Sequence, residues 1–187
     1  MTTLRDEPFD VEVTRSETVY NGYVWDVRED TFRYGNASLV RHYLDHTGAV
    51  AVVAIDDEGR VLLIQQYRHP IRMRDWEIPA GLLDVAGEDP QAAAARELAE
   101  EADLEADHWE DLGNFAVSPG GSEEFVRIFL ATGVRSTGEV FDRDDEEADI
   151  RKAWVPVTEV LDGIAEGRLH NGIMTIGVLM AARRRGL

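Results

Sequence analysis

The chain has no cysteine, so disulfides and thiolate chemistry are both excluded. It is also poor in positive charge: 19 Lys and Arg stand against 37 Asp and Glu, a formal net charge of -18. A protein that binds a phosphate backbone needs a basic face, so nucleic acid is excluded as the main partner. Long apolar runs are missing as well. The longest falls far short of the roughly 20 residues that a membrane-spanning helix needs. The opening "MTTLRDEPFD" lacks the basic and apolar regions of a secretory signal. The expectation is a cytoplasmic protein with no membrane contact. Internal repeats are absent too, and no low-complexity tract is longer than "QAAAAR".

What is there is an ordinary globular composition, 44% hydrophobic and 30% charged over 187 residues. That length allows one domain with a sizeable core and a small N-terminal appendage. The first half reads as strands. "ETVYNGYVWDVREDTF" and "ASLVRHYLDH" flank a hairpin signal, "RYGN", and "GAVAVVAI" and "RVLLIQQYRH" flank another, "DDEG". The near-continuous apolar run "AVAVVAI" predicts a strand buried on both faces. A helix is expected from an N-cap at Asp89, with Pro90 in the first helical position, to about Ala102. Strand patterns return in "WEDLGNFAV", "EFVRIFLATGV" and "IRKAWVPV", separated by the acidic loop "FDRDDEEAD". "TEVLDGIAEG" and "NGIMTIGVLMAARRR" read as helices. Strands, one helix, strands, then helices imply a mixed α/β (α+β) layered domain, with residues 1–45 as an N-terminal β subdomain and 46–187 as the main domain.

One helix concentrates negative charge. In "AARELAEEADL", Glu97, Glu100 and Glu101 stand at i, i+3 and i+4 and share a face. Two like charges about 6 Å apart repel by roughly 3 kcal/mol at an effective dielectric near 20. Arg96 alone cannot neutralise three glutamates. A solvated helix face is the plain account. The alternative is a divalent metal: Mg2+ takes oxygen ligands and keeps waters and substrate phosphates around it, and paired ions can activate water and stabilise phosphoryl charge. The upstream segment "WEIPAGLLD" can bring backbone carbonyls beside such a helix.

Residues 81–104, "GLLDVAGEDPQAAAARELAEEADL", resemble the Nudix box, a Gly, five residues, Glu, seven residues, then Arg-Glu-apolar-x-Glu-Glu-x-Gly-apolar. Gly81, Glu88, Arg96, Glu97, Leu98, Glu100, Glu101 and Leu104 fit in order. Two positions depart from the pattern. Six residues separate Gly81 from Glu88, and Asp103 stands where the box has Gly; Asp tolerates the left-handed conformation better than most residues. The resemblance implies a Nudix-type mixed sheet sandwiched between helices. It implies Mg2+ as cofactor, with Mn2+ the alternative, held by Glu97, Glu100 and Glu101 with the carbonyl of Ala80 as a fourth ligand. Arg96 is expected to orient the glutamates, and Glu88 to support the helix through Arg96.

Within the family, the ordered set "ETVYNG", "QQYRHP", "WEIPAGLLD", "SPGGSEE" and "DEEADI", with Pro119 fifteen residues beyond Leu104, resembles the ADP-ribose pyrophosphatases. That branch implies hydrolysis of ADP-ribose to AMP and ribose 5-phosphate. It implies an acidic loop whose Glu aids the attacking water, here Glu146 or Glu147, and a homodimer made through the N-terminal region. Arg68, following a predicted strand, is expected to reach a phosphate or ribose, with Arg41 a weaker cation for the same purpose. Tyr23 and Trp25 alternate with Val24 in a predicted strand and so share a face; they either pack in a core or stack on adenine. Glu124, in the Pro119 loop, resembles a family Glu near the substrate, and Gly121 of the same loop is counted among the substrate contacts. Trp76 is expected in the core. Other nucleotide sugars or oxidised nucleotides remain as substrates of the same chemistry, and a nucleotide-sensing module without catalysis is the reading from a different class.

Overall fold

The computed structural model describes residues 3–139, 141 and 149–186. Ten strands and three helices are assigned among them: β1 (Val13–Tyr20), β2 (Asp26–Tyr34), β3 (Ala37–Asp45), β4 (Ala49–Ala54), β5 (Arg60–Arg68), β6 (Met73–Glu77), β7 (Ala80–Leu82), α1 (Pro90–Ala102), β8 (Leu104–Ala116), β9 (Phe125–Ser136), β10 (Arg151–Pro156), α2 (Val157–Ala165) and α3 (Gly172–Arg185). They fall into two compact units, Met1–His46 with Ser118–Glu124, and Thr47–Val117 with Phe125–Leu187.

The larger unit is built on β4. Its sheet runs β7-β4-β9-β8, with β4 and β9 parallel and the other pairs antiparallel; a second sheet runs β10-β5-β6. All six residues of β4 are buried, as the apolar run predicted. Alternation then divides them between two cores. Ala51 and Val53 pack with Met174, Val178 and Ala181 of α3. Val50, Val52 and Ala54 pack with Ala93, Ala94 and Leu98 of α1. A mixed sheet held between helices is the expected α+β arrangement. Trp76 is half-buried against the α3-side core. No helix among the described residues is long and apolar enough to cross a membrane.

Two local expectations are corrected. The "DDEG" turn forms, with Asp56 N–H donating to the Arg60 carbonyl at 3.0 Å and an isolated bridge between Ile55 and Val61. It does not join a two-stranded ladder, because β4 and β5 part into different sheets. The other concerns Tyr23 and Trp25, which lie between β1 and β2 rather than in a strand. Gly22 explains the break: a side-chain carbon there would meet the Trp25 carbonyl oxygen at 2.0 Å, so the chain folds back on itself where only glycine fits.

The smaller unit is the antiparallel sheet β1-β2-β3. The 118–124 segment attaches to the end of β3. Leu44 N–H donates to the Gly121 carbonyl at 2.9 Å, and Leu44 and Ser122 form a parallel bridge. None of the residues of these three strands is buried.

Candidate active site on α1

The helix begins where its capping chemistry dictates. The Asp89 carboxylate accepts from the amides of Gln91 and Ala92 at 3.0 and 3.2 Å, and Pro90 occupies the first turn, where its missing N–H costs nothing. It ends at Asp103, in the left-handed region at φ 60°, whose N–H returns to the Ala99 carbonyl at 2.9 Å. Ala93, Ala94, Leu98 and Ala102 anchor one side in the core. That anchoring fixes the rotation of the helix and hence the direction of its glutamates.

Glu101 is 4% exposed. Its Oε2 accepts from the Ala80 amide at 2.9 Å, so a buried carboxylate is met by the backbone of β7, as burial of charge demands. β7 is held in register by β4, with Ala80 opposite Ala51 and Gly81 opposite Val50. The Glu97 carboxylate lies against Gly81, where an added side-chain carbon would come within 1.9 Å of its carboxyl carbon. Glycine here is a matter of space: nothing larger leaves room for the acid.

Arg96 gathers the remaining charge. Its Nη1 donates to Glu97 at 2.7 Å and to Glu100 at 2.9 Å, while Nε and Nη2 each donate to Glu88 at 3.3 Å. The Glu88 hydrogen bonds, then the charge of Glu97 and the hydrogen bonds to Glu100 and Glu97, hold the guanidinium pKa above its ordinary value against the cost of burial. The extra residue between Gly81 and Glu88 therefore leaves Glu88 in reach of Arg96. The reason is local: the loop folds back, with Glu88 N–H on the Val85 carbonyl at 3.1 Å.

Among the described residues, no three His, Asp or Glu side chains converge as a ready metal cage; Arg96 stands between Glu97 and Glu100. The donor chemistry nevertheless suits a hard divalent cation. Three carboxylates share one helical face, and the Gly81 cradle admits one of them against the backbone. An ion that keeps several of its waters needs few protein ligands.

Arg68, at the end of β5, is gripped by Glu77. Nε and Nη2 each donate to a carboxylate oxygen at 2.7 Å, and Glu77 is buried. This fork-to-fork pair presents Arg68 in a fixed pose. Glu77 had no signal in the sequence, since the contact depends on the β5–β6 register that sets Ile64 opposite Glu77. Arg41 is exposed on β3, with Nη1 on the Val40 carbonyl at 2.8 Å. Tyr23 is fully exposed. Trp25 is half-buried and stacks on His46 at 4.1 Å between ring centroids. The same His46 lies 3.6 Å from the Glu124 carboxylate. Gly121 contributes its carbonyl to Leu44. Thus Ala80, Glu97, Glu100 and Glu101 gather on α1 and β7, and Trp25 and Glu124 meet on one histidine. Glu146 and Glu147 lie outside the described residues.

Comparison with known proteins bears on this geometry. The model of the NUDIX domain matches residues 45–172. An ADP-ribose pyrophosphatase of Mycobacterium tuberculosis (strain ATCC 25618 / H37Rv) is 44% identical over 171 residues, covering 91% of this chain and 82% of that protein. A methanol dehydrogenase activator of Bacillus methanolicus is 33% identical over 171 residues, 91% of each chain. Among solved structures, the crystal structure of an ADP compounds hydrolase superposes with a TM-score of 0.79 at 18% identity, over 97% of this chain and 99% of that one. At that identity the likeness speaks to the fold.

Proposed function

The chain belongs to the Nudix family, and on that premise we propose that it is an ADP-ribose diphosphatase that hydrolyses the pyrophosphate of ADP-ribose to AMP and ribose 5-phosphate. The observation that carries this reading is the α1 constellation: Glu97 fitted against Gly81, Glu101 tied to the Ala80 amide, and Arg96 joining Glu88, Glu97 and Glu100. The 44% identity to an ADP-ribose pyrophosphatase supports the choice of substrate within the family.

Nudix hydrolases generally use divalent metal ions. Our reading names Mg2+, with Mn2+ the alternative, held by Glu97, Glu100 and Glu101 and the Ala80 carbonyl. When bound, such an ion lowers the pKa of a water and offsets charge on pyrophosphate oxygens. The protein's own part is positional. Arg96 sets Glu97 and Glu100, and the Ala80 amide sets Glu101. Arg68, held by Glu77, supplies a cation to the pyrophosphate or ribose, with Arg41 a second one. Glu146 or Glu147 assists the attacking water. Trp25 or Tyr23 stacks on the base, while Glu124 and Gly121 line the substrate.

The N-terminal β subdomain, residues 1–45, serves as a dimerisation region in this reading. Leu4, Phe9, Tyr20, Val24 and Tyr34 are exposed there, and apolar surface of that extent is commonly covered by a second copy under two-fold symmetry. The same reading assigns the enzyme to the cytoplasm, where nucleotide diphosphates are made and turned over.

Product analysis tests the assignment. With Mg2+, the protein should release AMP from ADP-ribose faster than it cleaves other nucleotide sugars, and EDTA should abolish release. Undiminished turnover in EDTA refutes the metal role, and faster cleavage of another nucleotide sugar refutes the substrate.

A further inference from the structure

His46 follows the last residue of β3, and its side chain is 6% exposed. The imidazole is stacked on the Trp25 indole, with 4.1 Å between centroids and 19° between planes. Its Nε2 is 3.6 Å from Glu124 Oε1. That is an ion-pair distance for the protonated ring rather than a direct hydrogen bond. Trp25 and Glu124 are 99 positions apart in sequence, and His46 touches both.

Each partner is set independently by its backbone. Trp25 follows the tight fold at Gly22, whose amide donates to Asp26 Oδ1 at 3.2 Å. Glu124 closes a loop in which the Gly121 and Ser122 amides both reach the Ser118 carbonyl at 3.0 Å, and its own amide donates to Ser122 Oγ at 3.1 Å. Neither arrangement fixes the indole plane. The stacked imidazole does: it covers one face of the indole and restricts its rotation. An aromatic platform binds a base well only if its plane is set before binding, since ordering a side chain on association costs affinity.

We propose that His46 is a positioning residue for the nucleobase end of the substrate: it holds the Trp25 ring in its stacking plane and ties that ring to Glu124. The inference rests on the reading of Trp25 as the platform for the base. It predicts that the imidazole acts on binding, not on bond cleavage, and that a flat ring at position 46 is what matters most.

The test uses the full chain with Mg2+ and four variants, His46→Leu, His46→Phe, Trp25→Ala and the double variant His46→Leu/Trp25→Ala. Steady-state kinetics on ADP-ribose is measured beside AMP affinity, the latter by equilibrium dialysis in EDTA. His46→Leu should raise KM and weaken AMP binding by about tenfold with kcat within about twofold, a loss of the size that disordering one aromatic–base stack produces. His46→Phe keeps a stacking ring and should recover most of that loss. In the Trp25→Ala background, His46→Leu should add nothing further, because two residues that act through one contact are not additive. Equal defects in His46→Leu and His46→Phe, full additivity with Trp25→Ala, or a fall in kcat at unchanged KM would each overturn the inference. Normal KM and AMP binding in Trp25→Ala would instead refute the platform reading beneath it. If His46→Leu does not fold, His46→Phe against Trp25→Ala decides: wild-type AMP affinity in the former and a tenfold loss in the latter support the inference, and a tenfold loss in both overturns it.

Discussion

The two units of the chain place their strands, three in one and seven in the other among the described residues, under opposite physical conditions. Thr47–Val117 with Phe125–Leu187 has a sheet covered on both faces, and its central strand is wholly buried. Met1–His46 with Ser118–Glu124 has a three-stranded sheet in which no described residue is buried. The carboxylates of α1 belong to the first, where packing of Ala93, Ala94 and Leu98 fixes them. Tyr23, Trp25, Arg41 and Glu124 belong to the second, where turns and side-chain contacts must do that work. Chemistry that needs sub-ångström placement sits on the rigid scaffold. The groups that the proposed function assigns to the substrate's extremities sit instead on the exposed three-stranded unit.

The largest effect that sharpens this contrast is loss of the α1 charges. Glu101→Gln keeps an oxygen to accept from the Ala80 amide, so the variant should fold. Its kcat should fall by about 100-fold or more, since the amide cannot replace a carboxylate at a metal. Glu97→Gln should behave alike. Near-normal turnover of both by AMP release would return the helix face to plain solvation.

Two glycines of the larger unit separate site from scaffold. At Gly81 an added methyl meets the flexible end of Glu97. Gly81→Ala should therefore displace that carboxylate and lower kcat by roughly 10- to 100-fold, the range for disturbing a metal ligand's support, with the melting temperature little changed. At Gly177 the methyl meets Val53 Cγ2 at 2.8 Å and Ile78 Cδ1 at 3.1 Å in the packed core. Gly177→Ala should cost about 1–2 kcal/mol by overpacking, partly offset by better helix propensity, and leave kcat near normal. Thermal melts beside kinetics check both; identical profiles for the two variants would erase the distinction.

The smaller unit is tested by its partner. Light scattering should give about twice the 20.9 kDa chain mass. Assayed at ADP-ribose well below KM, where the loss of base stacking lowers the rate, mixing Glu101→Gln chains with Tyr23→Ala/Trp25→Ala chains should restore about a quarter of wild-type activity, because half the dimers are mixed and one site in each is whole. A fully active monomer would contradict the shared site.

Legibility in the sequence follows the same divide. The bounds of α1 were readable because caps are local: Asp89, Pro90 and Asp103 act within a turn of themselves. The burial of β4 was readable because its apolar run has no other use. Arg68 was visible as a cation, but its grip by Glu77 was not, since that contact exists only through strand register. Tyr23 and Trp25 fit a strand pattern that the close approach at Gly22 breaks. His46 carried no pattern at all; its contacts come from segments far apart in the chain.

Asp103 gives the smallest expected effect, and it tests whether a departure from the Nudix box is structural. The box has Gly at this left-handed position. Here Asp adopts φ 60° and turns its side chain to use. The carboxylate accepts from the Phe141 amide at 3.0 Å and from Lys152 Nζ, while Lys152 also donates to the Ala102 carbonyl at 3.1 Å. The Asp103 carbonyl accepts from the Thr137 amide at 3.0 Å. Asp103→Gly relieves the left-handed strain, worth up to about 1 kcal/mol, but forfeits charge-assisted hydrogen bonds worth about 1.5–3 kcal/mol when partly buried. The net expectation is a loss of about 1 kcal/mol. Asp103→Ala forfeits the same bonds and keeps the strain, so it should lose about 1 kcal/mol more. Both should leave kcat within a few-fold, because the carboxylate is turned to Phe141 and Lys152 rather than to Glu97, Glu100 or Glu101. Urea melts of the three proteins order them as wild type, Gly, Ala. A Gly variant more stable than wild type would mean that the backbone conformation outweighs the carboxylate, and that Asp103 is tolerated at this helix end rather than used by it.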